Sequence, residues 1–567
     1  MSNAIKTGDA LLSERASSKV ARRVTPWLAA LVLVVSPRLF DLTADPADYW
    51  PFGTAWGDEG PWNYPSAYAS LAGRWPDLRP AFQAMVPVYA ALQRAVFRWQ
   101  GVGLVSARFL SVVCGLLTIL LIARMFMPLG VRWAAVAAAL YGTGFWTIAV
   151  DRLATPESLC VLLLLCASYL LCVPQDPGLG HWTAAGILSL IAALSKPPAV
   201  FGIVTIALFA TVGGISKRRL RLDRWSLIAG VSLAASALSL YWRPLHSWFV
   251  EGVVAQISRV TLDEGGAIAF ANSRLARVIL IPLFYPFVVY HSVPILGATV
   301  LLLSSRAHDE STSLRNRLAS FFVCWLAAWW VVSPFTNFRP FRYAFLPVPV
   351  TFLGVLGLQQ LGTPLVVGGR VRRVTFAVFV AWFLAMWSMW LSDVSGLRAR
   401  VWYPLLLIAT IIIAAVLWRG GHFTVATPSA RSYTAWVVAG AVLAQASVFV
   451  SWAAGRTHLV ITAQRTVANL SLGSKLVCGQ EAPSLLFTSP LNGRPLYYHW
   501  NPGCIVEGHL ADLILVPRAA DCARAAQYPF FVDNYDKLLG LPELGRVWVP
   551  QWEGPRKLVC ELSLSAL

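Results

Sequence analysis

Residues 104–123 read LVSARFLSVVCGLLTILLIA, an apolar run interrupted by a single charge, Arg108. About 20 apolar residues suffice for a helix to cross the hydrocarbon core of a bilayer. The whole chain has the same character, with 57% apolar residues, 13% charged residues and a mean hydropathy of +0.61. Soluble domains carry roughly a quarter charged residues. The sequence therefore predicts an all-α polytopic membrane protein.

The hydropathy pattern predicts about thirteen transmembrane helices, judged against the roughly 20 residues that a span needs. Pro197 and Pro198 predict a break between two of them, because consecutive prolines cannot continue a helix without losing backbone hydrogen bonds. The predicted segments are residues 26–40, 104–123, 133–150, 158–173, 182–195, 199–215, 225–242, 278–303, 318–335, 344–361, 374–391, 401–418 and 434–454.

Three basic stretches orient the chain, at residues 15–23, 217–224 and 370–373. Alternating the predicted spans puts all three on one side, which the positive-inside rule makes cytoplasmic. The net charge of +19 is thereby explained by loops facing anionic lipid, so it does not predict nucleic-acid binding. The expected location is the inner (plasma) membrane. The predicted domains are a cytoplasmic N-terminal tail (1–25), a transmembrane domain (26–455) with a first outer loop (41–103), and an extracytoplasmic C-terminal domain (456–567).

The nine cysteines fall into two groups. Five lie in apolar segments, where free thiols behave as small hydrophobes. The other four lie in the C-terminal domain, where an oxidising compartment favours disulfides, with three pairings open. Short β-prone runs there, from SLLFTS at 484–489 to RVWVP at 546–550, predict a small mixed α/β domain. The disulfide candidates are Cys478, Cys504, Cys522 and Cys560.

The first outer loop contains GDEGPWNYPSAYASLAG at 57–73, with adjacent carboxylates at Asp58 and Glu59. One interpretation is a helix start, where carboxylates favour the helix dipole. The other is a reaction centre, because a second acidic site, DRLATPESL at 151–159, is predicted on the same side of the membrane. That motif contributes Glu157 beside a basic residue, a combination typical of functional sites.

Basic residues are also predicted at outer helix ends, where the positive-inside rule leaves few cations. A single one is explained by snorkelling, in which the charge reaches water from a helix end, and Arg108 is interpreted in that way. Five together favour an anionic ligand, and the planar fork of arginine suits phosphate. The five residues are Arg152, Lys196, Arg243, Arg339 and Arg342.

These motifs, in order with SARFLSVVCGLLTILLIARM, ALSKPPAV and FRPFRYAFLPVPV, resemble one family across residues 26–360. It is the GT-C (C-type fold) integral-membrane glycosyltransferases that use polyprenyl-phosphate sugars, among them lipid A aminoarabinose transferases and protein O-mannosyltransferases. The resemblance implies that Asp58 is the catalytic base, with Glu59 adjacent and Glu157 as a further catalytic acidic residue. It also implies that Arg339, Arg342 and Tyr343, from RPFRY, bind the donor phosphate.

One departure from the resemblance leaves the donor sugar open. Aminoarabinose transferases are similar in carrying a lysine in the first outer loop near the donor phosphate. This loop has no lysine, and its basic residues are Arg74, Arg79, Arg94 and Arg98.

The expected function is transfer of a hexosyl or pentosyl group from a polyprenyl-monophosphate donor to an acceptor hydroxyl or phosphate on the extracytoplasmic side. The acceptor is a glycan, glycolipid or protein, and the resemblance implies that no metal or cofactor is required. The alternatives are a transporter or flippase for an anionic lipid-linked substrate, and a non-catalytic lipid-binding scaffold. Carboxylates lining a mid-membrane pathway would favour a transporter, whereas one outward cavity favours the enzyme.

Overall fold

The structure is a computed structural model. It describes residues 32–46, 56–76, 82–216, 285–303, 314–332, 340–359, 365–367, 423–425, 430–470, 472–473, 475–478, 482–496, 512–517, 542–553 and 556–566. Three predicted transmembrane segments, 225–242, 374–391 and 401–418, lie outside these residues.

Helices make up most of the described chain up to residue 358. The first spans residues 32–39 (α1). It is followed by α2 (Trp56–Ala72), α3 (Phe82–Met85), α4 (Pro87–Gln100), α5 (Leu104–Phe126), α6 (Val131–Gly142), α7 (Phe145–Asp151), α8 (Glu157–Cys172), α9 (Leu179–Ser195), α10 (Phe201–Ser216), α11 (Tyr285–Tyr290), α12 (Ser292–Leu303), α13 (Leu314–Val332) and α14 (Pro347–Leu358).

Two breaks interrupt the helical part of the described chain. Lys196 is extended at the end of α9, a 3₁₀ turn follows at Pro197–Val200, and α10 then begins, which confirms the predicted proline break. The predicted segment 133–150 is also broken, because α6 and α7 meet at 66°. At both breaks, backbone and side chains leave the regular helix close to polar residues.

Two helical stretches among the described residues, Leu104–Leu129 and Ala435–Asn469, are long and apolar enough to cross a bilayer, and the bent pair α6–α7 would make a third. Four further apolar stretches of the described chain are shorter, with 10–17 residues each: Glu157–Cys172, Leu179–Ser195, Pro197–Val212 and Tyr343–Leu358. The described residues thus bear out an apolar helical architecture, while the number thirteen stays a prediction.

Most of the apolar helices, from α5 to α14, contribute to one large core. Close approach within it depends on glycines in α12 and α14: a Cβ built at Gly297 would overlap the backbone of Gly354, and one at Gly357 would overlap Gly297. Small residues of this kind let membrane helices pack backbone against backbone. The five cysteines of the apolar segments are free, and four of them are buried, as predicted.

The C-terminal part begins with α15 (Ala430–Ala454) and α16 (Leu459–Asn469) and carries a mixed five-stranded sheet. The remaining elements are β1 (Leu365–Val367), β2 (Phe423–Val425), β3 (Leu476–Cys478), α17 (Ala482–Leu486), β4 (Arg494–Leu496), β5 (Leu513–Pro517), β6 (Glu543–Glu553) and β7 (Arg556–Ala566). The strand order in the five-stranded sheet is β4-β3-β5-β7-β6. In it, β3 runs parallel to β4 and β5, while β7 is antiparallel to β5 and β6.

The strand predicted at 484–489 is wrong, because residues 482–486 form the short helix α17. All five of its residues are buried. These apolar residues are therefore buried, as their hydropathy predicted. They are buried against α2, a helix of the first outer loop, and not within the sheet.

The contact between α17 and α2 is close. The backbone N–H of Gly60 donates to Ser484 Oγ at 3.0 Å, and the Tyr64 hydroxyl lies 3.0 Å from the Pro490 carbonyl and 3.1 Å from that of Gly493. One apolar core contains Tyr64 and Ala67 of α2 together with Leu485 and Leu486 of α17. The C-terminal sheet domain and the first outer loop are therefore packed as one unit.

Gly60→Ala should separate these two parts. A Cβ at this position would overlap the backbone of Pro483 and Ser484, which cannot turn away as a side chain could. Overpacking of this kind costs about 1–3 kcal/mol. We expect a lower midpoint in thermal unfolding followed by tryptophan fluorescence. Gly186→Ala is the matched control, because nothing lies within 4 Å of a Cβ there. Equal midpoints for the two variants would contradict the close contact.

Candidate active site

Asp58 and Glu59 lie in the first turn of α2, so the chain does start a helix at this motif. The side chain of Asp58 lies outside the described part of the structure. Glu59 is 1% exposed, and its carboxylate accepts from Arg108 Nε and Nη2, each at 2.8 Å, and from the Ala154 N–H at 2.8 Å. Glu59 thus joins the outer loop to α5 and to the segment between α7 and α8.

Arg108 does not snorkel, and that interpretation of the sequence is wrong. Its guanidinium is buried, forms the paired hydrogen bonds to Glu59, and donates through Nη1 to the carbonyls of Leu42 at 2.8 Å and Ala44 at 2.6 Å. The planar fork of arginine makes this bidentate arrangement possible. The charge in the apolar run therefore anchors the loop and is not directed to water.

Asn63 completes this arrangement one turn further along α2. Its Nδ2 donates to the carbonyls of Glu59 and Ala154, each at 2.6 Å, and its Oδ1 accepts from the Tyr89 hydroxyl at 3.3 Å. Asn63 was not among the predicted site residues. The sequence signal that could have identified it is its spacing of four residues from Glu59, which puts both residues on one face of a helix.

Glu157 and Lys196 form a second buried pair. Glu157 opens α8, Lys196 follows the end of α9, and the ammonium group donates to Glu157 Oε1. Lys196 Nζ also lies 5.0 Å from the centroid of the Trp62 ring on α2. Glu157 Oε2 is buried and has no hydrogen-bond partner among the residues that the structure describes. Two of the sequence-predicted site residues are thus brought together beside the helix that carries Asp58.

A third buried pair joins Arg38 of α1 to Asp151 at the end of α7. Arg38 Nε donates to Asp151 Oδ2 at 2.8 Å, and Ser158 donates to Oδ1 at 3.0 Å. Gly115 of α5 leaves room for this carboxylate, since a Cβ there would overlap it. Arg38 was not among the predicted site residues, although a charge inside an apolar helix is a sequence signal of a buried, paired side chain.

Arg152 faces the other side of the site, toward the end of α15. Its guanidinium donates to the carbonyls of Pro37 at 2.9 Å, of Phe40, and of Asp41 at 2.7 Å. It also lies 4.6 Å from the ring centroid of Trp452. Arg152 and Lys196, both predicted to bind the donor phosphate, therefore contact different elements.

The short loop after α1 joins the helical part to the C-terminal part. Asp41 Oδ2 accepts from Arg456 Nε at 2.7 Å and lies 2.9 Å from His458 Nε2. The Asp45 carboxylate accepts from the N–H groups of Leu459 and Val460, each at 2.9 Å. These N–H groups open α16 and have no partner within the helix, so Asp45 acts as a cap supplied from a distant part of the chain.

The remaining predicted site residues are only partly described. Arg243 and Arg339 lie outside the described residues, and Arg342 belongs to a 3₁₀ turn (Pro340–Phe345) without a described side chain. Tyr343 is buried, with its ring centroid 5.3 Å from that of Trp329 and 6.2 Å from that of Trp146. Their roles at a donor phosphate stay predictions.

Cys478 and Cys560 are disulfide-bonded, and Cys504 and Cys522 lie outside the described residues. Within the described ranges, histidine, cysteine and carboxylate side chains form no group able to hold a metal ion.

Residues 80–242 match the model of the dolichyl-phosphate-mannose-protein mannosyltransferase family. Comparison with curated protein sequences gave no match. Among solved structures, the fold resembles ArnT from Cupriavidus metallidurans bound to undecaprenyl phosphate, with 16% identity and a TM-score of 0.51. The apo state of the same protein gives 15% identity and a TM-score of 0.53. Both comparisons cover 96% of this chain and 98% of the other.

Arabinosyltransferase EmbB from Mycobacterium smegmatis is also matched, at 14% identity and a TM-score of 0.42, over 88% of this chain and 45% of that one. The likeness to ArnT establishes the polytopic GT-C fold, and with the family match it confirms the resemblance predicted from the order of the motifs. The chain is an integral membrane protein.

Glu59→Gln tests the buried pair. It leaves the Arg108 charge without its counterion, and breaking a buried pair on one side costs about 3–5 kcal/mol. We expect a large loss of thermal stability. The double variant Glu59→Gln with Arg108→Met should recover part of it, because no buried charge is then left alone. A Glu59→Gln midpoint within a degree of the parent protein would show that the pair does not hold the loop.

The pH dependence of stability tests the contact of Asp41. Burial alone would raise the pKa of this carboxyl, but hydrogen bonds from Thr43, Arg456 and His458 outweigh it and hold the pKa well below its usual value. A depressed folded-state pKa stabilises the fold above the unfolded-state pKa, about 3.9, and this contribution is lost as the pH falls below it. Asp41→Asn should therefore lower the unfolding midpoint at pH 7 and change it less below about pH 4. The same difference at both pH values would contradict this assignment.

Proposed function

We propose that the chain is a glycosyltransferase that moves a sugar from a polyprenyl-monophosphate donor to an acceptor hydroxyl or phosphate at the extracytoplasmic surface. The observation that carries the proposal is the position of α2. Its first turn, which contains Asp58, is held by the Glu59 contacts to Arg108 and Ala154 within a GT-C fold. The pair Glu157–Lys196 lies beside the same helix.

In the proposed reaction, Asp58 accepts the proton of the acceptor hydroxyl as its oxygen attacks the anomeric carbon of the donor sugar. The bond from that carbon to the phosphate oxygen breaks, and polyprenyl phosphate leaves with the bonding electrons. A positioned carboxylate suits the first role. Cations in a site of low dielectric stabilise the charge that develops on the leaving phosphate. The candidates for this second role are Lys196, Arg152, Arg243, Arg339 and Arg342, with Tyr343 as a further contact.

Glu59 and Glu157 have different places in this scheme. The Glu59 carboxylate is fully occupied by Arg108 and Ala154, so we assign it to positioning α2 and not to proton transfer. One Glu157 oxygen has no hydrogen-bond partner within the described part of the chain, and its other oxygen accepts from the Lys196 ammonium. It is the acidic residue that we place next to the donor, where it sets the direction of the lysine.

The outer surface is the proposed side of the reaction. The disulfide-bonded Cys478 and Cys560 favour an oxidising compartment for the C-terminal part. The close packing of α17 on α2 supports the same compartment for the Asp58 loop. We further propose, from the resemblance, that the reaction needs no metal, with basic side chains in place of a divalent cation. The acceptor, a glycan, glycolipid or protein, is left open by these residues.

A transporter or flippase for an anionic lipid-linked substrate remains the second candidate, and one observation favours it. The helices α6 and α7 meet at 66°, and the buried Arg38–Asp151 pair lies beside this break. Broken helices with buried charges are typical of transporters. The proposed enzyme instead uses this pair only to hold α7 and α8 in place.

Asp58→Asn tests the catalytic assignment. It keeps the size of the side chain but removes the group that accepts the proton, so transfer should fall by roughly 10²- to 10⁴-fold. The measurement is transfer of labelled sugar from a synthetic polyprenyl-phosphate donor by purified protein, with unfolding recorded for each variant. Asp176→Asn is the charge control, since this exposed residue follows the far end of α8. Turnover by Asp58→Asn within a few-fold of the parent protein would return the motif to a helix start.

A further inference from the structure

Lys196 has a backbone that is held on both sides. Its N–H donates to the Ala192 carbonyl at 2.9 Å, and its carbonyl accepts from the Ala199 N–H at 3.0 Å. The residue is extended, with φ −160° and ψ 124°. This conformation follows from the sequence, because the ring of Pro197 disfavours a helical conformation at the residue before it. The side chain of Lys196 thus starts from a fixed point between α9 and the 3₁₀ turn.

Beyond that point the four-carbon stem of the lysine is flexible, so the contacts of its ammonium group decide where the charge lies. Glu157 Oε1 accepts from Nζ, and the centroid of the Trp62 ring lies 5.0 Å from Nζ. Lys196 is 3% exposed and Glu157 is fully buried. Both contacts are strong in such a place, because little water screens the charge.

Trp62 brings its contact with the ammonium to α2. Residues four apart in a helix lie one above the other, so Trp62 shares a face of α2 with position 58. Glu59 and Asn63 form a neighbouring face, which contacts α5 and the segment before α8. The ammonium of Lys196 therefore lies on the side of α2 that carries position 58.

The ring of Trp62 is itself held by packing. It lies against a buried apolar cluster that joins the segments of α3 and α4 to α5 and α8, and whose members are Met85, Val86, Tyr89, Cys114 and Leu159. A ring held in this way offers the ammonium a fixed aromatic face. Packing alone would also explain a large apolar residue at this position, so the aromatic face has to be tested separately from the size of the side chain.

We propose that Trp62 is a positioning residue, whose ring keeps the Lys196 ammonium in place while its N–H groups turn from Glu157 to the leaving phosphate. The attraction between a cation and an aromatic ring depends on where the charge lies over the face, not on the direction of an N–H bond, and it is strongest for tryptophan. A carboxylate alone would tie the ammonium to one partner. The inference rests on the proposed function, in which Lys196 is one of the cations that stabilise the leaving phosphate.

The experiment compares Trp62→Phe with Trp62→Leu in purified full-length protein, with a labelled polyprenyl-phosphate sugar as the donor. Both variants keep an apolar side chain, but only the first keeps an aromatic face. Trp62→Leu should lower kcat roughly tenfold, the rate equivalent of losing a desolvated cation–π contact. Trp62→Phe should lower kcat only about threefold, because phenylalanine gives a weaker contact of the same kind.

Trp99→Leu is the matched control. This tryptophan on α4 is 74% exposed, and its ring packs edge to face against Phe109 with a centroid distance of 5.8 Å. Its loss should leave kcat within about twofold of the parent protein, as is usual for exposed positions.

A double-mutant cycle with Lys196→Gln separates positioning from packing. The new side chain is uncharged but can still donate to Glu157, so the buried carboxylate keeps a partner. If the ring acts through the ammonium, adding Trp62→Leu to Lys196→Gln should change kcat by less than about twofold. The thermal unfolding midpoint is recorded for every variant, and kcat is expressed per amount of folded protein.

Three results would overturn the proposal. Equal kcat values for Trp62→Phe and Trp62→Leu would show that the aromatic face does not matter. A loss from Trp62→Leu that is as large in the Lys196→Gln protein as in the parent would show that the ring acts through packing alone. An unchanged kcat in Lys196→Gln would remove the group that the ring positions. All three leave transfer by the parent protein intact, whereas a parent protein that transfers no sugar would refute the proposed function, and this role with it.

Discussion

The buried pair of Glu59 and Arg108 joins a helix of the outer loop to a transmembrane helix at a point from which water is excluded. Moving two charges out of water raises the free energy of the folded state. Their attraction offsets this only when every donor and acceptor is well placed. Here the carboxylate accepts three hydrogen bonds, and the guanidinium also donates to two carbonyls of the loop after α1. Moving the first turn of α2 would break all of these contacts together. The pair thus holds the turn of α2 that contains Asp58.

The C-terminal part also holds this helix, at Gly60 and Tyr64. Gly60 and Tyr64 contact α17 and the turn that follows it, and an apolar core runs from α2 into the sheet. Asp41 and Asp45 add a second attachment where α15 meets α16. In this arrangement the sheet domain is part of the framework of the site. Its disulfides would then influence the position of α2 as well as the stability of the sheet.

The local features of the chain could be predicted from the sequence, because hydropathy and proline act over short distances. The break at Pro197 and Pro198 and the free cysteines of the apolar helices are of this kind. The partner of Arg108 could not be predicted, since Glu59 lies 49 positions away and pairing depends on how helices pack. The same limit explains the error at 484–489, where an apolar β-prone run became a helix because it packs on α2. Asp58 was identified from the adjacent carboxylates, its role as base came from the resemblance, and its side chain lies outside the described residues.

A transferase breaks the bond between sugar and phosphate, whereas a lipid transporter leaves it intact. This bond can be followed in proteoliposomes. The protein would be reconstituted with a polyprenyl-phosphate sugar that is labelled separately in the sugar and in the phosphate, together with an envelope extract as acceptor source. The account predicts that the two labels part: free polyprenyl phosphate accumulates in the same amount as sugar appears on the acceptor. Movement of both labels together from one leaflet to the other, with the bond intact, would contradict the account and establish a lipid transporter on this fold.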